Sequence, residues 1–565
     1  MQRRPGARDA REVSAHSDEC LRCGAVGSII AGTGLPSLVS RLEEGVGTHR
    51  GALAVIVLAL IQFGIVSVAL PVIPGRDFGD YLWFWVQMGA AHSVFPMSML
   101  FRVPVAPLVI GAPLDLTGSW GLSVVMALLF AFSVLAWVRT ALTFGNRAAL
   151  VAAAALLVFP GYTILFHEPS SNPVFAATYA LLALLLVRAV IRPSATRFAL
   201  VGLGIAVAAL TRPETQVLLV LAAVPLTLAL RWSRRLAYAA IVIAAAAFVL
   251  AGWAVNNGVR YGDYTLARRG LAYLPFFRAF TTDHIVSGTN GPASRKLAQE
   301  VQSDLLPLQP YRAYRVTVRS FFTAGKDREF ADLLSLSDRL AWASNYSLLR
   351  RAGLEAVRAH PGTYVRGVAR TLLDEFWLPL YVALPATTPK ESSSAMPATG
   401  SRLPKPSEGE LVPSSNQGAY LATSDNHIRE IWTSPTEHHL VFATAAQKRA
   451  YDRVQSDSAR LTAKLPAYSG DAFIVRQLSR ASRIFPPGLI WLAAGLVGLA
   501  IRRPTRTGVA LWLIASALTV ALVEALSDYT IIDFAVPLLP AFIVLAAAGV
   551  VGSRGNSAPH APRTS

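Results

Sequence analysis

The sequence has very few cysteines and few charged residues. Cys20 and Cys23 are the only cysteines among 565 residues, and charged residues make up 15% of the chain. One C-x-x-C pair cannot complete a four-ligand zinc site, and the sequence offers no second pair for a disulfide elsewhere. The motifs H-E-x-x-H, G-x-S-x-G and G-x-x-x-x-G-K-[ST] are also missing. The usual support for a zinc protease, a serine hydrolase or a nucleotide hydrolase is therefore absent.

Long apolar segments dominate the chain instead, and 53% of its residues are hydrophobic. A helix of about 20 apolar residues crosses a hydrocarbon core roughly 30 Å thick. We therefore predict an all-α polytopic membrane protein with about ten transmembrane helices and a mostly helical extracytoplasmic region. The predicted spans lie near 51–73, 119–138, 148–166, 172–191, 197–211, 214–231, 235–255, 485–501, 507–526 and 531–552.

The basic residues set the predicted orientation. The net charge is +18, and arginines cluster in alternate short loops, while the other short loops contain only Arg76, Arg102 and Arg212. This is the positive-inside pattern, which places both termini in the cytoplasm. The charge thus reflects topology, and we expect no nucleic-acid partner. The alanine- and arginine-rich composition indicates a bacterium, hence its cytoplasmic membrane with the active face outward.

The same pattern divides the chain into segments. We predict a disordered cytoplasmic tail over 1–50, a transmembrane module over 51–255, an extracytoplasmic region over 256–484, a second transmembrane module over 485–552 and a tail over 553–565. The Pro- and Ser-rich stretch 385–418 is predicted to be a disordered insertion. The first outer loop, 74–118, is too long for a simple connector, so we expect a function there.

Two carboxylates follow the first span directly. Asp77 and Asp80 open the first outer loop, and Asp80–Met88, rich in Tyr, Trp and Phe, is predicted to be a helix with its rings at head-group depth. Four prolines are expected to break the remaining loop into short pieces: Pro96, Pro104, Pro107 and Pro113. Both acids therefore lie where a lipid head group and a water-borne acceptor can meet.

Further polar residues map to the same outer face. Candidate substrate-binding residues are Arg102, His167, Glu168, Arg212, Asn257, Arg260 and Tyr261. Acids and arginines on one face suit glycosyl transfer from a lipid phosphate, in which a carboxylate takes the acceptor's proton and arginines stabilise the departing phosphate. Structural roles stay open: helix capping for Asp77 and Asp80, snorkelling for Arg102, pairing with Glu214 for Arg212, and solvation for Glu168.

At these residues the chain resembles the GT-C superfamily of membrane glycosyltransferases that use polyprenyl-phosphate sugars. The likeness is to the bacterial branch of protein O-mannosyltransferases and the lipid A aminoarabinose transferase. It rests on Asp77-Phe78-Gly79-Asp80-Tyr81, Arg102-Val103-Pro104, Thr211-Arg212-Pro213-Glu214, Asn257 with Arg260-Tyr261-Gly262, and His360-Pro361-Gly362-Thr363-Tyr364. Where many relatives carry Arg-Tyr before the last span, this chain has Ile531-Ile532-Asp533-Phe534.

The resemblance implies an inverting displacement with Asp77 as general base, Asp80 as a second catalytic acid, and Arg102 and Arg212 holding the donor phosphate. The implied partners are a polyprenyl-phosphate sugar and an extracytoplasmic glycan, lipid or protein acceptor. No cofactor or metal is predicted, although Asp77, Asp80 and Glu168 could gather a divalent cation. The alternatives are a multi-span transporter or lipid flippase and a structural component of an envelope-assembly complex. Transport is disfavoured because the spans are almost free of charge.

Overall fold

The structure, a computed structural model, describes residues 42–89, 95–268, 270–308, 311–312, 314–377, 428–432, 438–442, 444–466, 473–502, 506–527 and 534–553. Within these ranges six helices are long and apolar enough to cross a membrane: His49–Ala69, Val105–Phe144, Ser171–Ile191, Trp232–Tyr261, Arg476–Arg502 and Thr507–Ser527. Four apolar helices are shorter: Asn146–Val158, Ala195–Ala209, Pro213–Thr227 and Val536–Val551. The prediction of an all-α polytopic membrane protein is confirmed. Each predicted span overlaps one of these helices, but the count of ten spans stays a prediction.

Two of the short apolar helices differ from a single regular α-helix. Pro213–Thr227 is a 3₁₀ helix of 15 residues. At about 2.0 Å per residue such a helix extends roughly 30 Å, which matches the thickness of the hydrocarbon core. Asn146–Val158 ends before Phe159, and Pro160 then begins a separate helix, Pro160–Leu165, at the position where proline is tolerated best.

The second membrane helix begins earlier than predicted. Helical structure runs from Val105 to Ala141 and is interrupted at Gly118, whose φ of 72° lies in the left-handed region that glycine adopts easily. The predicted span, 119–138, therefore starts directly after the break. Pro96 and Pro104 stand at helix starts, as expected from fragmentation of the loop. Pro113 does not break the chain, because it lies inside the helix.

The region between the two membrane modules, 256–484, which is predicted to be extracytoplasmic, has a helical core of its own. Its longer helices are Pro292–Glu300, Asp327–Ala341, Ser347–Ala359, Pro361–Trp377 and Ala445–Thr462. Phe473–Ile484 follows them and leads into Gly488–Arg502; together these two helices contain the apolar segment Arg476–Arg502. Phe276, Phe321 and Leu349 are fully buried in this core. Arg278 joins it to the membrane module, because its Nη1 atom donates a hydrogen bond of 2.7 Å to the Ala525 carbonyl.

One element of this region is not helical. Ile428–Trp432 and His438–Phe442 form an antiparallel two-stranded sheet in which Ile428 lies opposite Phe442. The sequence analysis predicted a mostly helical region and did not identify this hairpin. Several parts of the chain lie outside the described residues: the predicted insertion 385–418, residues 1–41 and 554–565 of the two predicted tails, and the segment Ile531–Asp533.

The helix after the first span, Phe78–Met88, is called the aromatic helix below. Phe84 is fully buried, and the Trp83 ring lies 5.2 Å from the Tyr451 ring of helix Ala445–Thr462. Trp85 Nε1 donates to an Asp115 carboxylate oxygen at 3.3 Å. These rings therefore pack against protein, and their position at head-group depth stays a prediction.

Candidate active site

The turn that carries Asp77 is built from two close approaches of the backbone. The Ile73 amide donates to the His167 carbonyl at 3.0 Å. A Cβ atom on Gly75 would lie 2.6 Å from the Glu168 carbonyl oxygen, so only glycine fits there. Asp77 follows with a φ of 56°, in the left-handed region that aspartate tolerates better than most residues. Its side chain does not cap the aromatic helix.

The Asp77 carboxylate instead faces Arg102. Arg102 Nη2 lies 2.9 Å from Asp77 Oδ2 and 2.7 Å from Asp80 Oδ2, so one guanidinium serves both acids. The Arg102 guanidinium also lies over the Phe101 ring at 4.3 Å and the Tyr81 ring at 5.1 Å. Arg102 Nε is buried and has no hydrogen-bond partner among the described residues. The guanidinium is thus fixed in orientation, and its Nε–H group remains unpaired within the described part of the chain.

Tyr81 completes this cluster from the aromatic helix. Its hydroxyl oxygen accepts a hydrogen bond of 3.2 Å from the Ser171 amide. Burial raises the pKa of the Tyr81 hydroxyl, so the group is neutral at physiological pH. A neutral hydroxyl that accepts from the backbone still has its own proton to donate.

A second cluster surrounds a buried arginine, Arg212. Arg212 lies in the turn between Ala195–Ala209 and Pro213–Thr227. Its Nε is 2.6 Å from Glu214 Oε1, and its Nη2 is 2.9 Å from Glu524 Oε1. Its Nη1 donates to Asn172 Oδ1 at 3.2 Å, and the Phe534 ring lies 4.3 Å from its Cζ. The pair with Glu214 that the sequence suggested is present, and Glu524 adds a second carboxylate.

Both clusters open onto one cavity of about 860 Å³. Its polar side includes Arg76, Asp77, Tyr81, Arg102, Arg212 and Glu524. Its apolar side is lined by Val217 and Leu219 of the 3₁₀ helix and by Ala247, Leu250, Ala251 and Ala254 of the helix that follows. The cavity therefore combines a charged end with an apolar wall contributed by membrane helices. Such a shape suits a molecule with an anionic head and a hydrocarbon tail.

Three of the predicted site residues thus line one cavity, namely Asp77, Arg102 and Arg212, and Asp80 is bound to Arg102 beside them. The other predicted residues do not line it. His167 is buried and stacks on Phe63 at 4.1 Å, and its Nδ1 lies 3.0 Å from the Thr163 carbonyl. Glu168 is buried beside Gly75, in the turn that carries Asp77. Their substrate-binding roles stay predictions.

The three residues near the end of the seventh predicted span also lie off the cavity wall. Asn257 is buried and donates to the Thr265 carbonyl at 2.8 Å, so it holds the following loop in place. Arg260 is exposed and Tyr261 is half-buried at the helix end. Among the described residues, no group of three or more acidic, histidine or cysteine side chains is placed to hold a metal ion.

Sequence reasoning did not assign a role to Arg76, Glu524, Asn172 or Phe534, all of which line the cavity. Glu524 could have been recognised from the sequence, because it is the one charged residue within the otherwise apolar helix Thr507–Ser527. Arg76 was visible as a basic residue on the outer side, adjacent to Asp77. The aromatic contact made by Phe534 depends on the tertiary fold and had no local signature.

A known protein family matches part of the chain. Residues 102–253 match the family model described as dolichyl-phosphate-mannose-protein mannosyltransferase. The matched segment contains Arg102, Glu168 and Arg212 and ends before Glu524. It confirms the resemblance predicted from the sequence: this segment is similar to the GT-C membrane glycosyltransferases.

Two solved structures are similar over most of the chain at low identity. Both are crystal structures of ArnT from Cupriavidus metallidurans, one bound to undecaprenyl phosphate and the other in the apo state. Identity is 13% in each case. The alignments cover 89% and 88% of this chain and 78% and 77% of ArnT, with TM-scores of 0.33 and 0.32. Likeness at this level carries no argument about the chain. No curated protein sequence matches it.

Proposed function

We propose that the protein transfers a sugar from a polyprenyl-phosphate donor to an extracytoplasmic acceptor, which is a cell-envelope glycan, lipid or protein. The observation that carries this proposal is the cavity itself, in which the Asp77–Arg102–Asp80 cluster shares a space of about 860 Å³ with an apolar wall of membrane helices. A lipid phosphate fits this combination of charge and apolar surface. The family match over 102–253, named for dolichyl-phosphate-mannose, supports a donor of this kind.

The proposed reaction is a single displacement with inversion at the anomeric carbon. Asp77 accepts the proton of the acceptor hydroxyl as that oxygen forms a bond to the anomeric carbon. The bond from this carbon to the phosphate oxygen breaks, and polyprenyl phosphate leaves with its electron pair. Asp77 suits the role of base because it lines the cavity and Arg102 fixes its orientation at 2.9 Å.

The departing phosphate needs positive charge close to the cavity. Arg102 and Arg212 both line it, but each already faces two carboxylates. Arg76 lines the same cavity and makes no ion pair with any described residue. We therefore assign the phosphate to Arg76 together with the unused Nε of Arg102. Arg212 orders the wall, since its charge is balanced by Glu214 and Glu524.

The arginine pattern of the loops supports a multi-pass protein of the bacterial cytoplasmic membrane with both termini inside. In that orientation the cavity faces outward, where acceptors of the cell envelope are available. The helical extracytoplasmic region stands beside the cavity and can present an acceptor to it, as Asn345 of that region contributes to the cavity wall.

Sugar transfer by the purified protein tests this proposal. Polyprenyl-phosphate mannose is the first donor to use, followed by glucose and aminopentose analogues, with envelope extracts as acceptors. We expect transfer by the wild type and a loss of about 10²–10⁴-fold in kcat for Asp77→Asn. Glu43→Gln is the matched control, because Glu43 pairs with Arg147 in the loops at the predicted cytoplasmic end. An Asp77→Asn protein that turns over like the wild type would discard Asp77 as the base.

A further inference from the structure

Two buried oxygen atoms on the cavity wall have no hydrogen-bond partner among the described residues. They are Oγ1 of Thr265 and Oδ1 of Asn345, and both residues line the cavity. Thr265 follows the membrane helix Trp232–Tyr261, whereas Asn345 belongs to the extracytoplasmic region. A buried polar atom without a partner costs about 1–3 kcal/mol. Two such atoms on one cavity indicate that a ligand supplies the missing hydrogen bonds.

The backbone on both sides holds these residues in place. The Thr265 carbonyl accepts a hydrogen bond of 2.8 Å from Asn257 Nδ2, so the Thr265 backbone is bonded while its hydroxyl is not. Trp253 Nε1 donates to the next carbonyl, that of Leu266, at 3.2 Å. The segment is therefore fixed by its main chain, and the free hydroxyl is not a result of a loose loop.

The turn that carries Asn345 is held in place through the next residue, Tyr346, which bonds to a pair of charged side chains. It has a φ of 43°, and the following residue, Tyr346, has a φ of 60°, so two consecutive residues lie in the left-handed region. The Tyr346 hydroxyl donates to Asp338 Oδ2 at 2.8 Å. Asp338 in turn accepts from Arg268 Nη2 at 2.9 Å, and the Arg268 amide donates to the Leu100 carbonyl beside the Arg102 cluster. The turn of Asn345 is thereby tied to the loop that carries Arg102.

From these observations we propose that Thr265 and Asn345 form a subsite that binds a hydroxyl group of a substrate sugar. The inference rests on the proposed glycosyl transfer and names the residues that would recognise the sugar. Asn345 Oδ1 only accepts hydrogen bonds, whereas the Thr265 hydroxyl both donates and accepts, and neither residue carries positive charge. A sugar hydroxyl can donate to Asn345 Oδ1 and bond to Thr265 as well, whereas an ionised phosphate oxygen has no proton to donate to Asn345 Oδ1. The phosphate belongs with the arginines elsewhere on the cavity wall.

Backbone conformation offers a second explanation for Asn345, because asparagine tolerates the left-handed region better than most residues. The two explanations predict opposite results for Asn345→Gly. Glycine adopts a φ of 43° without strain, so a purely conformational role leaves the Michaelis constant unchanged. A role in binding raises the Michaelis constant about tenfold, since one hydrogen bond to the substrate is lost. Asn345→Asp keeps an oxygen at this position and also tolerates this φ. We therefore expect a lower Michaelis constant for Asn345→Asp than for Asn345→Gly.

Thr265 allows an independent test. Thr265→Val removes the unpaired hydroxyl and fills nearly the same space, so the unliganded protein should unfold at a higher temperature. The same variant should show a Michaelis constant about tenfold higher, while Thr265→Ser, which keeps the hydroxyl, stays close to the wild type. A rise in unfolding temperature without a change in the Michaelis constant would overturn the subsite.

The hydroxyl can belong to the donor or to the acceptor, and two assays with polyprenyl-phosphate mannose separate these sources. Hydrolysis of the donor without acceptor reports donor binding alone. If Asn345→Gly and Thr265→Val raise the Michaelis constant there, the subsite holds the donor sugar. If they raise it only for the acceptor during transfer, the subsite holds the acceptor. Unchanged constants in both assays, with an active wild type, reject the subsite and leave the proposed function intact. A wild type inactive in both assays rejects the function and the subsite together.

Discussion

The Arg102 guanidinium lies between two carboxylates, 2.9 Å from Asp77 and 2.7 Å from Asp80. A single positive charge is therefore shared by two negative ones at the polar end of the cavity. This arrangement fixes the orientation of Asp77, but it leaves little positive charge there for a lipid phosphate. Another residue must therefore balance the charge of the donor phosphate, and the neighbouring Arg76 is the candidate.

Arg76 is the residue whose removal should weaken donor binding most directly. It lines the cavity, and among the described residues no carboxylate pairs with it. Hydrogen bonds to a charged group contribute about 1.5–3 kcal/mol, so Arg76→Gln should raise the Michaelis constant for the donor roughly 10–100-fold. Steady-state kinetics with polyprenyl-phosphate mannose measures this change. Arg370→Gln is the control, because the Arg370 side chain is 88% exposed and lies off the cavity wall. Equal effects of the two variants would contradict the assignment.

Gly111→Ala changes no charge, but it should reduce turnover because it displaces a residue of the aromatic helix. A Cβ atom on Gly111 would lie 2.3 Å from Trp85 Cγ, so Gly111→Ala must displace Trp85. Because Trp85 belongs to the helix that begins directly after Asp77, the base moves with it. Misplacement of a reacting group by about 1 Å can cost roughly 10²-fold in rate, and we expect a fall in kcat of that order.

Gly79→Ala provides the matched control for Gly111→Ala. Gly79 lies in the first turn of the same aromatic helix, and an added Cβ there meets nothing within 4 Å. Alanine in a helix is more stable than glycine by roughly 0.5–1 kcal/mol, so this variant should be at least as stable as the wild type and fully active. If Gly111→Ala kept wild-type kcat, Trp85 would not be positioning the turn that carries Asp77.

The sequence predicted the membrane architecture well because hydropathy is a local property. Each predicted span overlaps an apolar helix of the structure. The largest boundary difference concerns the second span, where helical structure begins at Val105 although Pro107 and Pro113 follow. Pro107 lies in the first turn, where the missing amide has no intrahelical partner in any case. The hairpin Ile428–Phe442 was missed because two short strands have no pattern as strong as a membrane span.

The site was predicted in part for a related reason. Asp77, Arg102 and Arg212 were found because they are charged residues next to apolar runs, and the structure places all three on one cavity. The pair of Arg212 with Glu214 was predicted, but its contacts with Glu524 and Phe534 could not be, since these two residues are more than 300 residues away in the sequence. His167 also lies at a span end; its ring packs on Phe63 away from the cavity wall, and its role in substrate binding stays a prediction.

The buried pair of Arg212 and Glu524 should make a large contribution to stability. Arg212 Nη2 lies 2.9 Å from Glu524 Oε1, and both side chains are almost completely buried. Removing one partner of a buried ion pair costs about 3–5 kcal/mol, because the remaining charge is left unpaired. Arg212→Met should therefore lower the unfolding temperature in detergent strongly. The double variant Arg212→Met/Glu524→Leu should recover part of the loss, since it removes both charges.

The exposed pair of Arg147 and Glu43 is the control for this measurement. Arg147 Nε lies 3.0 Å from Glu43 Oε1, but the Arg147 side chain is 70% exposed. Exposed pairs contribute about 0–1 kcal/mol, so Arg147→Met should have almost no effect on the unfolding temperature. If the double variant at Arg212 and Glu524 were less stable than Arg212→Met alone, the pairing energy would not be the reason for the loss.

His167 should make stability depend on pH in the mildly acidic range. It lies beyond the helix that ends at Leu165, and burial lowers the pKa of its ring from 6.5 to about 4. The unfolded chain therefore binds a proton more readily than the folded protein between these values. Stability from this source is intact above pH 6.5 and is lost as pH falls towards 4, by roughly 3 kcal/mol in total. Unfolding temperatures of the wild type and His167→Gln, measured between pH 7.5 and 4, test this. His167→Gln cannot titrate, so its stability should decline less steeply over that range. Parallel curves for the two proteins would show that His167 is not responsible.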